Sequence, residues 1–387
     1  MTAGEGPAAT SRLPHALAAI YGLAIVYASL QPFGGWVALP DATPHWLLAP
    51  GRARWTRFDI VANVLAYAPF GAFVAWIPRR AKPARRVALG ALGGIALSFA
   101  MESLQAYLPP RDANAIDVLS NGGGALAGAL AAAAVARRPA WRAALSGARR
   151  AVFLHGTLGD VGLALLALWL VAQVNPAIAL FAITFDPAPI AGVARAAPGT
   201  DAVTVLIEAA ESAFQTLGVG LFLALLVRHR RHMGAAVLLL IGAALMIKGV
   251  AAIALLKSSA WEGWLRPGVS TGVAAGALAL AAAIALPRPA MIAVCAIALL
   301  SSLLTPLLVP EMLFARAPLT LFNWRYGHLL NFNGLMQTVL LVWPIAAAAW
   351  LFALAGRPAW GAPEPPAGRE RSGTDPVSGT GGSGPRT

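Results

Sequence analysis

Apolar stretches of about 18 to 25 residues recur along this chain between clusters of arginine, and that is the length a helix needs to cross roughly 30 Å of hydrocarbon. Ten such spans can be read, near residues 13–31, 58–77, 86–107, 115–136, 160–183, 202–227, 234–256, 267–286, 290–309 and 335–355. Composition agrees with the pattern: of 387 residues 58% are hydrophobic and only 12% charged, where a soluble domain carries about 25% charged residues. The expected fold is therefore all-α, a polytopic transmembrane helical bundle of about ten spans.

The formal charge of +13 would point to nucleic acid in a soluble protein. In a membrane protein basic residues also gather in cytoplasmic loops and set orientation. With the N-terminus inside, 19 Lys and Arg fall on the inner side and 9 on the outer, Lys248 being left within a span. That asymmetry favours both termini inside and a multi-pass protein of the bacterial cytoplasmic membrane, with the lipid bilayer as partner and no nucleic acid. The eighth and ninth spans are separated only by Pro287, Arg288 and Pro289; merging them would move the C-terminus outside. The basic runs at 79–86 and 137–150 orient the chain and touch anionic lipid. The first apolar stretch, Leu13 to Leu30, reads as a retained helix rather than a cleaved signal, because only Arg12 precedes it as a basic residue. Two loops expected outside, 32–57 and 310–334, carry Trp36, Trp46, Trp55 and Trp324, residues typical of the headgroup interface. From 357 onward the chain is rich in Pro, Gly and Ser and is expected to be a disordered cytoplasmic tail.

Polar groups inside a membrane are costly unless they face a partner or a wet cavity, and the second to fourth spans hold many. Glu102 and Gln105 are three residues apart, Asp117 and Asn121 four, and Asp59 and Asn63 four, so each pair shares a helical face. The short connection from Leu108 to Asn114 folds the third and fourth spans into an antiparallel hairpin and holds Arg111 and Asp112. At a rise of about 1.5 Å per residue, Glu102 lies roughly 8 Å, Asn121 roughly 9 Å and Asn63 roughly 7 Å below the outer ends of their helices. Asp59, Arg111 and Asp117 sit nearer the edge, and Arg111 is the cation placed to neutralise the carboxylates. Gly90 with Gly94 and Gly124 with Gly128 have the small-xxx-small spacing that lets helices approach closely. Pro69 removes an amide donor and frees the Leu65 carbonyl.

The stretches Asp59-Ile-Val-Ala-Asn63, Pro69-Phe70-Gly71, Glu102-Ser-Leu-Gln105, Arg111 and Asp117-Val-Leu-Ser-Asn121-Gly-Gly-Gly124 resemble, in order and spacing, the pattern of the VanZ-like family of integral membrane proteins. The run Ala66-Tyr67-Ala68 before the proline departs mildly from the family pattern. The resemblance implies a VanZ-like domain over 58–136, following a first helix and loop over 1–57 and preceding a six-helix bundle over 137–356 and the tail over 357–387. The family's namesake is associated with low-level resistance to teicoplanin, a glycopeptide that binds peptidoglycan precursors at the outer face of the membrane. The expected role is in envelope biology, by binding or remodelling at the outer leaflet, where a polar site would suit recognition of a lipid-linked or cell-wall component.

Three readings of the cluster remain open: an interhelical network with Asp112 or Asn114 capping the fourth helix, a binding site for a headgroup, sugar or peptide, and an acid–base site at Glu102 or Asp117. No nucleophile–base pair, phosphate-cradling loop or metal-ligand spacing accompanies the carboxylates, so no catalytic residue, metal or cofactor is assigned. A membrane transporter and a membrane enzyme acting on a lipid-linked substrate are the alternative functions. A second polar group comprises Glu208, Glu211 and Gln215 on one face of the sixth span and Lys248 within the seventh. Glu211, roughly 14 Å deep, and Lys248, roughly 12 Å deep, are expected to pair or to line a substrate or proton route. The six histidines are dispersed, and Cys295, the sole cysteine, permits no intrachain disulfide.

Overall fold

Thr56 begins the second of the expected spans with a reciprocal cap: its side chain accepts from the Asp59 amide while the Asp59 carboxylate accepts from the Thr56 amide. Such local signals recur along the computed structural model, which describes residues 11–31, 33–38, 56–78, 81–108, 111, 113–176, 178, 180, 202–258, 265–308 and 326–357. Among them run eleven helices: α1 Leu13–Leu30, α2 Arg57–Trp76, α3 Pro83–Gln105, α4 Ala115–Arg137, α5 Pro139–Val152, α6 Gly156–Ala172, α7 Ala202–Leu226, α8 Arg230–Leu255, α9 Pro267–Ala283, α10 Arg288–Leu308 and α11 Tyr326–Ala355. The described residues form no strand beyond an isolated bridge between Phe153 and Val227. Proline starts α3, α5 and α9, where its missing amide would have had no intrahelical partner anyway.

Eight of these helices are long and apolar enough to cross a membrane, and α6 and α9 are shorter apolar helices. The fold is an all-α polytopic one. The eighth and ninth expected spans are separate helices, α9 ending at Ala283 and α10 starting at Arg288. Two expectations need correction. The fifth span, expected over 160–183, ends as a helix at Ala172, because Gln173, Asn175 and Pro176 follow and proline cannot extend the hydrogen-bond ladder. Residues 139–152, read as a basic loop, form helix α5, whose apolar and basic residues separate onto opposite faces. The tail and most of the two tryptophan-bearing loops lie outside the described residues, as does Asp112.

α2, α3 and α4 pack on one another, with α1 against α2 and α3 and also against α6 and α11. In the second half α7 is central, touching α6, α8, α9 and α10, while α10 and α6 contact α11. From Val219 to Leu226 every residue of α7 is buried. Phe222 stands there against Trp343 and Trp350 of α11, with ring centroids 5.3 and 4.6 Å away. Each indole N–H finds a carbonyl of α6, Trp343 at Leu165 and Trp350 at Leu158, which lets these rings be buried without leaving a donor unpaired.

One end of the molecule is basic. There Asp160 of α6 accepts from Ser11, from the Arg12 amide and from Arg149. Arg230 donates to the carbonyls of Ile284, Ala285 and Leu286 at the end of α9, and Arg288 to those of Val227 and Arg228. Cations at carbonyl-rich helix ends are favoured by the helix dipole. The α3–α4 connection lies at the opposite ends of its helices.

Candidate functional site

At that opposite end the hairpin of α3 and α4 brings its polar residues into one cluster with the start of α2. Asn114 caps α4, its side chain accepting from the Ile116 amide. Its own amide donates to Glu102 Oε2 at 2.8 Å, a buried bond; a carboxylate is favoured beside a helix N-terminus. From α2, Asn63 Nδ2 donates to Asp117 Oδ1 at 2.8 Å and to Ser120 Oγ at 3.3 Å. Deeper, Asn121 Nδ2 donates to Ser98 Oγ at 2.9 Å. Glu102, Asn121, Ser98 and Ser120 are buried, whereas Asn63, Asp117 and Arg111 are half-buried, so the cluster grades from a partly open mouth to a closed floor. On that floor Asn121 Oδ1 is buried without a hydrogen-bond partner.

Of the residues expected here, Asn63, Glu102, Asp117 and Asn121 come together. Arg111 acts on Glu102 through its charge, but among the described residues no direct ion pair joins it to Glu102 or Asp117. Its Nη2 donates instead to the carbonyls of Ala28 at 2.8 Å and Gln31 at 3.1 Å, at the end of α1 where orphan carbonyls and the negative end of the dipole attract a cation. Burial pulls the Arg111 guanidinium below its ordinary pKa, and the charge on Glu102 acts the other way. Gln105 Nε2 likewise turns to α1, donating to Ser29 O at 2.9 Å, and Asp59 is engaged in the capping box with Thr56. Ser98, Ser120 and the buried Tyr67 beside Ser98 were missed. Their spacing was a usable signal, for each lies three or four residues from Glu102, Asp117 or Asn63 on the same helical face.

The second polar group is dispersed rather than convergent. Glu208 Oε1 lies 3.1 Å from Arg266 Nη2, just before α9. Gln215 Nε2 donates to Ser302 Oγ of α10 at 2.8 Å. Glu211 is buried, but the expected pair of Glu211 with Lys248 is not among the ion pairs of the described residues. Lys248 Nζ donates instead to the carbonyls of Asn175 and Ile178, each at 2.9 Å. The reason is the early end of α6: non-helical backbone in the interior must find donors within the protein, and Lys248 supplies them while remaining 1% exposed. Lys248→Met is expected to orphan both carbonyls and to lower stability by about 1–3 kcal/mol, with Lys248→Gln, which keeps one donor group, losing less. Unchanged thermal unfolding of the detergent-purified Met variant would refute this role.

Among the described residues no three His, Cys, Asp or Glu side chains are grouped to hold a metal ion. The cluster's chemistry is that of a hydrogen-bonding surface rich in acceptors: the carboxylates of Glu102 and Asp117 with the amides and hydroxyls of Asn63, Asn114, Asn121, Ser98, Ser120 and Tyr67.

The comparison with protein-family models matches residues 10–136 to the family described as VanZ/LLP1. Those residues form a VanZ-like domain, and the match takes in α1 as well as the three helices that carry the motif. No curated protein and no solved structure matches the chain.

Proposed function

We propose that the VanZ-like domain of this multi-pass membrane protein holds the polar head of a lipid-linked or cell-wall component at the α3–α4 end of its bundle. By binding or remodelling there, it contributes to tolerance of glycopeptides of the teicoplanin type in the bacterial envelope. The observation that carries this reading is the spare acceptor of Asn121, buried beneath the half-buried Asn63 and Asp117. An unsatisfied buried acceptor costs about 1–3 kcal/mol, and a ligand hydroxyl or ammonium that enters past Asn63 and Asp117 when these side chains move aside removes that cost. Arg111 holds the α1 carbonyls through Nη2 alone and its charge still acts on Glu102, so the mouth combines carboxylates, amides and one cation, a set that suits a hydroxyl-rich head group. The distribution of arginines supports an outer-leaflet position for this end, the side on which lipid-linked wall precursors meet glycopeptides.

The test compares Glu102→Gln, Asp117→Asn and Arg111→Ala for membrane abundance and glycopeptide susceptibility. Gln at 102 keeps an acceptor for the Asn114 amide and Asn at 117 keeps one for Asn63, so both variants are expected at near wild-type abundance, with susceptibility raised to that of a strain lacking the protein. Arg111→Ala is expected to reduce abundance, since it uncaps α1. Wild-type susceptibility in both carboxylate variants, or a loss of abundance in all three, would count against a binding site.

A further inference from the structure

Helix α5 is too short and too basic to cross a membrane, yet it leaves its apolar side uncovered. Trp141, Leu145, Ala148 and Val152 follow at i, i+4, i+7 and i+11 and share one face; Arg142, Ser146, Arg149 and Arg150 lie on the other. None of its residues is buried, and Trp141 and Leu145 are 56% and 54% exposed. The protein touches mainly the polar side: Ser146, Gly147 and Arg149 are partly covered, as is Val152 at the helix end, while Trp141, Leu145 and Ala148 are exposed, and Arg149 reaches Asp160 at 3.0 Å. The stripe from Trp141 to Ala148 is thus turned away from the rest of the chain. The Arg138 guanidinium lies 5.8 Å from the centre of the Trp141 ring, a cation–aromatic pair that joins the two characters at the helix start.

Position supplies the occupant. α5 begins directly after α4, a candidate membrane span ending at Arg137, and is followed by the apolar α6 from Gly156. It is therefore tethered at both ends to helices that enter the apolar phase, at the basic end of the bundle. A helix of 14 residues with an apolar stripe containing Trp and Leu and a polar face rich in Arg has the character of one lying in the plane of a charged lipid surface.

We propose that α5 is an in-plane helix that docks on acidic phospholipid headgroups of the membrane that α4 traverses. Trp141, Leu145 and Ala148 rest at the acyl boundary, and Arg138, Arg142 and Arg150 face the headgroup phosphates. Arg149 is reserved for Asp160 and serves to hold the helix at the correct angle. This docking is independent of any ligand at the α3–α4 end.

The experiment uses the full chain with Cys295→Ala and single spin-labelled cysteines at Leu145→Cys, Ala148→Cys and Ala143→Cys. It is reconstituted in vesicles containing phosphatidylglycerol or in phosphatidylcholine alone. In phosphatidylglycerol, labels at 145 and 148 are expected to collide more with oxygen than with an aqueous nickel complex, and the label at 143 to do the reverse. In phosphatidylcholine, and in phosphatidylglycerol when Arg142→Gln and Arg150→Gln are combined, the labels at 145 and 148 are expected to shift to the aqueous pattern. An aqueous pattern at 145 and 148 in phosphatidylglycerol would overturn the docking. Labels there that neither reagent reaches would overturn it in favour of a protein partner, and identical depth in both lipids would overturn the acidic-headgroup assignment.

Discussion

Gly128→Leu is expected to remove the folded protein from the membrane, whereas Gly123→Leu, in the same helix, is expected to leave its abundance and melting unchanged. A β-carbon at Gly128 would overlap the Ala68 carbonyl of α2, and one at Gly124 would overlap that of Val64; at Gly123 it meets nothing within 4 Å. Because the obstruction is backbone rather than a flexible side chain, neither helix has a local way to yield, and α2 and α4 must separate along their contact. Association of helices in lipid rests on close packing rather than on a hydrophobic drive, so the whole contact weakens together. Overpacking costs typically about 1–3 kcal/mol, and a leucine set against two helical backbones falls at or above the top of that range. Separation also parts Asn63 from Asp117, so the polar cluster is lost with the packing. The check is the monodisperse fraction surviving heating of the detergent-solubilised variants; survival of Gly128→Leu like wild type would mean that α2 and α4 are not in backbone contact.

The second large effect is at the other end of the molecule. Asp160→Ala is expected to cost about 3–5 kcal/mol, the range for removing one partner of a buried ion pair. Its carboxylate takes Ser11 Oγ at 2.9 Å, the Arg12 amide at 2.6 Å and Arg149 Nη2 at 3.0 Å, so a single residue ties the start of α1 and helix α5 to α6. Arg149→Ala is expected to lose less, because the guanidinium is 19% exposed while the aspartate side chain is 3% exposed, and because Ser11 and Arg12 still bond the carboxylate. Asp160→Asn, which keeps an acceptor, is expected to fall between the two. Equal unfolding midpoints for Asp160→Ala and wild type, measured by tryptophan fluorescence in detergent, would show that the junction contributes nothing.

Legibility of the candidate site followed the kind of information each residue required. Asn63, Glu102, Asp117 and Asn121 were found because their spacing puts them on inward faces of helices whose hairpin order leaves little choice of neighbour. For Arg111 the chain shows an arginine near two carboxylates, and its charge does act on Glu102, but its direct bonds go to the carbonyls of Ala28 and Gln31, some 80 residues earlier. Lys248 was misread, since its acceptors exist only because α6 stops before Pro176. Helix α5 escaped because its arginines suggested a loop, although the i, i+4, i+7, i+11 stripe from Trp141 to Val152 was there to be counted.

What the sequence by itself determined is what hydrocarbon enforces: apolar helices of membrane-crossing length, and the face on which each intramembrane polar group lies. Both are functions of distance along one helix, and a helix rises and turns by fixed amounts per residue. What only the tertiary structure decided is which groups meet across helices, such as Arg111 with the end of α1, Lys248 with the carbonyls beyond α6, and Asp160 with Ser11 and Arg12. A bond between helices depends on their separation, rotation and depth together, and those are set by the packing of the whole bundle, in which no single helix specifies its neighbour.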